Sequence, residues 1–153
     1  MTLSIRPLTR DDAEIVTAMA REATQYLIDL GDKVTFSLTR ERYLEDGFGA
    51  DPAFAGFAAF DDDRPVGYLL YCMCYDADKA ERFLWMIDLF VRGEARGLGV
   101  GRALMRRAQE QCRALGGKEL FWAVYKPNQL AREFYDRLGG RVIDDLDWMA
   151  IDA

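Results

Sequence analysis

The chain has 153 residues, half of them apolar and 12% aromatic, which suits one folded domain with its own core and excludes a disordered chain. Its net charge of −6, from 26 acidic and 20 basic side chains, argues against nucleic acid as a partner and in favour of a cationic ligand. Histidine is absent, so no Ser-His-Asp or Cys-His arrangement can form, no metal site is expected, and proton transfer falls to carboxylates, tyrosine, lysine, cysteine or water.

In chain order, Leu3 and Ile5 alternate with polar residues, and residues 3–8 read as a first strand. Thr9 followed by Asp12 is a helix-start signal, and Ile15, Met19, Ala23 and Tyr26 continue at helical spacing to Leu30-Gly31. Residues 38–46 read as a short second helix and 47–52 as a loop. Phe54–Phe60 and Val66–Tyr75 flank the turn-forming run Asp61-Asp62-Asp63-Arg64-Pro65, which predicts an antiparallel hairpin. Phe83–Val91 is almost wholly apolar and reads as a central strand buried on both faces. A glycine-rich stretch, 92–102, then opens into a helix whose inner face is Val100, Leu104, Ala108, Cys112 and Leu115, stopped by Gly116-Gly117. Leu120–Tyr125 reads as a further strand. A helix follows Pro127-Asn128 with Leu130, Phe134 and Leu138 inward, and 141–151 are expected to add the last strand material.

Cys72, Cys74 and Cys112 form no C-x-x-C motif and suit a reducing cytoplasm. Cys72 and Cys74 are expected on opposite faces of their strand, as packing residues. The first residues lack the apolar core of a signal peptide, and no apolar run is long enough to span a bilayer. A cytoplasmic protein with no membrane partner is therefore expected.

A buried strand that feeds a glycine-rich turn and then a helix is suited to anions: glycines allow close approach, and the first helical amides point outward along a favourable dipole. The segment 92–113 adds arginines at 92, 96, 102, 106, 107 and 113 against two glutamates, a local reversal of the overall charge. Neither G-x-G-x-x-G nor G-K-[ST] is present, since Arg102 stands where a third dinucleotide-loop glycine would be needed. Arg96-Gly97-Leu98-Gly99-Val100-Gly101 does fit Arg/Gln-x-x-Gly-x-Gly/Ala. With Asp88-Leu89-Phe90-Val91 before it, the stretch resembles the pyrophosphate loop of the GNAT superfamily of N-acetyltransferases. Asn128, Ala131 and Phe134-Tyr135 ahead of Gly139-Gly140 look like that family's second signature. The stretch 87–91 is similar to the diamine and polyamine acetyltransferase branch.

The resemblance implies an α/β (mixed α+β) three-layer domain over 1–153. Its central sheet would be mixed but mostly antiparallel, splayed between strands 83–91 and 120–125, with helices on both faces. It implies acetyl-CoA as co-substrate, held by Leu89, Phe90 and Val91, by the loop residues Arg96, Gly97, Leu98, Gly99, Val100, Gly101 and Arg102, and by Asn128 and Ala131. It implies Tyr135 as the acid that protonates the leaving thiolate, which is feasible because a phenol (~10) and a thiol (~8.5) have comparable proton affinities. The family's glutamate position is Ile87 here. Asp88 is the nearest carboxylate and the candidate proton acceptor or ammonium holder, because an isolated carboxylate in an apolar strand is costly unless used or partnered. Tyr26, Asp29, Trp85 and Asp88 are the substrate candidates, and Phe36, Tyr43, Tyr71 and Tyr75 are further aromatics for a cationic acceptor. The expected reaction is direct attack of a primary amine of a polyamine, diamine or amino-acid-like acceptor on acetyl-CoA, by a homodimer. The competing readings are acetylation of a protein N-terminus or lysine, and a non-catalytic acyl-CoA-binding regulatory domain.

Overall fold

Five strands in the order of the chain, β1 (Leu3–Pro7), β2 (Ala55–Asp61), β3 (Arg64–Asp76), β4 (Glu81–Val91) and β5 (Gly117–Phe121), form one sheet. The first four are antiparallel neighbours, and β5 runs parallel to β4. The computed structural model describes residues 1–153, which fall into two compact units, Met1–Ala123 and Val124–Ala153. The first holds the whole sheet with α1 (Ala13–Asp29), α2 (Arg40–Phe48) and α3 (Val100–Ala114); the second holds α4 (Gln129–Arg137).

Helices cover both faces of the sheet. Val16, Met19 and Ala20 of α1 and Tyr43 of α2 pack with Ala58, Tyr68, Leu70 and Phe90 in one buried cluster. On the other face Phe57 stacks on Tyr71, and Arg107 of α3 lies 4.7 Å above the Phe57 ring. Thr9 and Asp12 act as the sequence predicts. Asp12 accepts from the Thr9 amide at 2.7 Å and also binds Arg6 through both oxygens at 2.7 Å, which fixes the turn that leads into α1. Tyr43 is core: its hydroxyl donates to the Thr9 carbonyl at 2.8 Å and its ring meets Phe48 and Phe54.

Several expectations need correction, among them Leu115 and Leu130, expected inward but exposed at 43% and 48%. The α2 helix starts at Arg40, because Thr39 accepts from the Arg42 amide as its N-cap. The strand expected at 120–125 is β5, Gly117–Phe121, since the chain enters the sheet directly after the turn at Gly116. Residues 141–151 form no strand; they have no ladder partner and are exposed throughout, Trp148 at 77%. Cys72 and Cys74 share a face, with sulfurs 3.9 Å apart, as the two-residue period of a strand requires.

Candidate active site

The sheet opens where its register breaks. The β4–β5 pairing ends at Trp85 opposite Phe121, and β4 runs on to Val91 with no strand on that side. On the β3 side Leu70 pairs with Asp88 and Tyr71 with Met86, so Ile87 is an extra residue, a β-bulge. β4 is therefore not buried on both faces along its length. The bulge turns Ile87 outward to 45% exposure and directs Met86 into the core at 3%. It also changes the parity of the strand. Trp85 shares a face with its partner Cys72, and Asp88 with its partner Leu70, so both side chains lie on the α1/α2 face although they are three positions apart.

Backbone alternation then determines which groups line the opening. The Arg92 amide donates to the Val66 carbonyl at 2.9 Å, toward β3; Phe90 points the same way, and Leu89 and Val91 point to the open side. Of the three residues expected to bind the coenzyme, Phe90 is thus the one turned the other way. Its main chain serves β3 and its ring packs against Tyr68 at 6.1 Å. The Val91 carbonyl accepts from Arg96 Nε at 3.0 Å.

At the end of β4 the chain turns through Gly97 and Gly99, both left-handed at φ +76° and +86°, and α3 begins. A Cβ at either glycine would meet nothing within 4 Å, so the backbone there is open to a ligand. The Gly99 carbonyl takes the first helical bond, from Ala103 at 3.0 Å, which leaves the amides before it without helical partners. Val100 enters the core, 1% exposed, and can offer only its amide. Leu98 is exposed. Gly101 and Arg102 lie in the first turn of α3, Arg102 exposed. The arginines of this region divide by task. Arg92 is structural, bound to Glu22 at 2.7 Å and to the Pro65 carbonyl at 2.9 Å, and Arg64 pairs with Glu94. Arg96 lies 4.8 Å above the Tyr26 ring and so fastens the loop to α1.

Asp88 has the partner that its setting demands. The hydroxyl of Tyr68, a fully buried residue on β3, donates to Asp88 Oδ2, and the Leu89 amide also reaches the carboxylate. Burial raises the Asp88 carboxyl above its ordinary range, and these two donors oppose that rise without cancelling it. Tyr68 was missed in the sequence, where it sits in an apolar strand; the lone carboxylate signalled that a partner must exist but not which. Tyr26 is in the last turn of α1, and Asp29, at its end, is exposed and accepts from Gln25 at 2.8 Å. Trp85 is half-buried on the Asp88 face. Phe36 lies under Arg21, Tyr75 is exposed at the end of β3, and Tyr71 is buried on the opposite face. A hollow of about 160 Å³ between Leu8, Phe48, Phe54 and Tyr71 includes neither Asp88 nor the glycine loop.

The second unit has its own local order. Asn128 caps α4, accepting from the Ala131 amide at 3.2 Å, and half-buried Tyr135 packs against Phe134 with ring centroids 5.1 Å apart. The helix closes when Gly139 and Gly140 donate back to the Asp136 and Tyr135 carbonyls at 3.0 and 2.9 Å. No cluster of three metal-ligating side chains is present, and no helix is long and apolar enough to cross a membrane.

A strand edge with no partner strand beyond Trp85, beside a helix start whose first amides lack helical partners, has the features that an extended amide chain and a diphosphate would use. The model of the Acetyltransferase (GNAT) family matches residues 16–140, and the chain belongs to that family as an acetyl-CoA-dependent N-acetyltransferase. It is 28% identical over 151 residues to the thialysine N-epsilon-acetyltransferase of Bos taurus, covering 94% of this chain and 86% of that one. The enzyme of the same name from Caenorhabditis elegans is 30% identical over 131 residues, covering 84% and 77%. Among solved structures, an integron cassette protein from the mobile metagenome of V. cholerae superposes with TM-score 0.82 at 23% identity, covering 100% of this chain and 94% of that one. An aminoglycoside acetyltransferase from an uncultured soil metagenomic sample, in complex with sisomicin, superposes with TM-score 0.74 at 15% identity, covering 99% and 96%. Both show the same fold.

Proposed function

We propose that this enzyme acetylates the terminal primary amine of a small cationic acceptor, an amino acid with an aminoalkyl side chain in particular, by direct attack of the amine on acetyl-CoA. The observation that carries the reading is Asp88, a half-buried carboxylate held by Tyr68 in the strand whose edge has no partner strand beyond Trp85. The net charge of −6 favours a cationic acceptor, and the names of the relatives favour an amino-acid-like member of the set over a polyamine.

In this reading Leu89 and Val91 offer the open strand edge to the pantetheine amides. The turn from Gly97 to Arg102 takes the diphosphate, and Arg102 adds charge. Asn128 and Ala131 hold the pantetheine arm. Asp88 takes the proton from the acceptor ammonium, and its raised proton affinity suits it to that task at neutral pH. The freed amine attacks the thioester carbonyl, the C–S bond breaks, Tyr135 protonates the departing thiolate, and the second proton lost by the attacking nitrogen returns through solvent to the phenolate. Trp85, Tyr26 and Asp29 form the acceptor side, with Trp85 as an aromatic wall for the cation.

The test is CoA release, followed with a thiol reagent, across a panel of thialysine, lysine, diamines, polyamines and a peptide with a free N-terminus. The reading expects the amino acids with aminoalkyl side chains to lead; preference for the peptide would overturn it, and coenzyme binding without release for any amine would favour a regulatory domain. In the same assay Tyr135→Phe should lower kcat by about 10²-fold or more while acetyl-CoA still binds; an unchanged kcat removes Tyr135 from the mechanism. The chain is read as one catalytic domain and a cytoplasmic homodimer, with no nucleic acid, membrane or metal as partner. Light scattering that finds a monomer would end the dimer reading.

A further inference from the structure

Tyr68 belongs to neither family signature, yet it makes the one side-chain hydrogen bond found for Asp88. We infer that Tyr68 is the positioning residue of the proton acceptor: its hydroxyl, fixed in the core of the sheet, holds Asp88 Oδ2 so that the remaining carboxylate lone pairs meet the acceptor ammonium. This rests on the reading of Asp88 as proton acceptor.

The geometry supports it at three levels. Tyr68 is opposite Phe90 and Leu70 is opposite Asp88, so Tyr68 reaches Asp88 along the diagonal of an antiparallel pair on a shared face. Tyr68 has no exposed surface and packs in the cluster with Met19, Ala20 and Phe90, which leaves its hydroxyl little freedom. Asp88 needs such support, because it follows directly on the bulged Ile87, where the ladder is interrupted.

The chemistry agrees. A carboxylate accepts at about four lone-pair positions. Tyr68 and the Leu89 amide take two and leave room for an ammonium N–H. Burial first, and the Asp88 charge second, raise the Tyr68 phenol well above its ordinary range, so it stays a neutral donor throughout the working pH and never competes as a base. Other ionisable groups of β3, α1 and α2 have partners of their own: Asp29 accepts from Gln25, Glu14 pairs with Arg40, and Arg21 lies over Phe36. Cys72 and Cys74 face each other on β3, Glu22 of α1 is bound to Arg92, Arg96 lies over Tyr26 and Phe90, and Tyr43 of α2 donates to Thr9. In this inference the proton taken from the ammonium resides on Asp88 and leaves to solvent, and Tyr68 keeps its own.

A purely structural tyrosine and a positioning one differ in the pH profile. With thialysine as acceptor, kcat/KM should fall on the acid side with the ionisation of Asp88, well below the ~10.4 of a lysine-type amine. Tyr68→Phe removes a donor to the ionised form and should move that limb upward by about one pH unit. The rate is then about tenfold lower on the acid side and within a few-fold of wild type on the alkaline plateau. Fluorination of the Tyr68 ring ortho to the hydroxyl strengthens the donor with almost no change of shape and should move the limb downward. This second variant keeps the test intact if Tyr68→Phe folds poorly.

A folded Tyr68→Phe enzyme whose limb stays put, or whose rate falls equally at every pH, overturns the inference. Asp88→Asn separates the two claims. If it abolishes the limb while neither Tyr68 change moves it, only the role of Tyr68 fails. If it leaves the limb in place, the reading of Asp88 as base fails and the inference with it.

Discussion

Substituting Gly99 separates the cost of backbone strain from the cost of lost ligand. Gly99 has φ +86°, and an added Cβ would touch no protein atom within 4 Å, so Gly99→Ala creates no clash within the chain. A Cβ-bearing residue in the left-handed region costs roughly 1–2 kcal/mol, and the stiffer unfolded chain returns about 0.4–1 kcal/mol. The net loss of about 1 kcal/mol corresponds to about 2–4 °C in Tm for a chain of this size. In the proposed site the same methyl would stand on the open side of the turn, where the diphosphate is expected to meet the α3 amides. Losing one charge-assisted hydrogen bond costs about 1.5–3 kcal/mol, roughly a ten- to hundredfold rise in the Kd for acetyl-CoA. Gly116→Ala is the control. Its φ is +80°, its nearest contact would be Arg82 Cδ at 3.9 Å, and it lies at the other end of α3, about 22 Å away by helix rise. Calorimetric titration with acetyl-CoA and thermal melts of both variants make the comparison. The expected result is matched melting temperatures and a coenzyme defect in Gly99→Ala alone; equal coenzyme affinity in the two variants refutes the anion-loop argument.

Asp88→Asn should stabilise the protein at neutral pH while it lowers activity. The folded state binds the Asp88 proton more tightly than the unfolded chain, so this residue's contribution to stability is full below the ordinary carboxylate range and is lost as pH rises through the raised value. Melts across pH should therefore show the advantage of Asn growing as pH increases and vanishing in acid; a constant difference would contradict the assigned cause. Asp12 is the opposite case. Burial alone would raise its carboxyl, but Arg6 and Thr9 together hold it below the ordinary range, so its contribution is present above that range and is lost as pH falls through the lowered value. Asp12→Ala should cost about 2 kcal/mol in urea unfolding, between the values for exposed and fully buried pairs because Arg6 is half exposed, and the loss should shrink in acid.

Periodicity carries far in this chain because most elements have one wet face. The helices from Ala13, Val100 and Gln129 and the hairpin of β2 and β3 lie close to where apolar spacing and turn residues put them. The turn before α3 was legible for a different reason: its left-handed backbone at 97 and 99 calls for glycine at those two positions. What stayed hidden depends on pairing across strands. The start of β5 is an example. Gly117 enters the sheet against Cys112, where a Cβ would come within 2.5 Å of the sulfur, a close approach that no local pattern reveals. The Tyr68–Asp88 bond is another, since it follows from register and not from either strand alone. Residues 141–151 carry Val142, Ile143 and Trp148 and so read as strand, but apolar content cannot supply the partner that a ladder needs.

The bulge at Ile87 links these points. In a regular strand Trp85 and Asp88, three residues apart, would point to opposite faces, and Asp88 would lie under α3. One inserted residue reverses that parity, brings the carboxylate to the α1/α2 face, and leaves Ile87 outside both cores, where neither packing nor charge constrains it. The position at which the family resemblance leads one to expect a glutamate is therefore the position this fold can most easily surrender. A carboxylate at 87 would be solvated by its own exposure. The carboxylate at 88 is instead desolvated and needs a donor, and the strand beside it supplies one in Tyr68. The exposed isoleucine, the half-buried aspartate and the tyrosine beside it thus form one arrangement, set by the bulge, and the proposed role of Asp88 as proton acceptor depends on it.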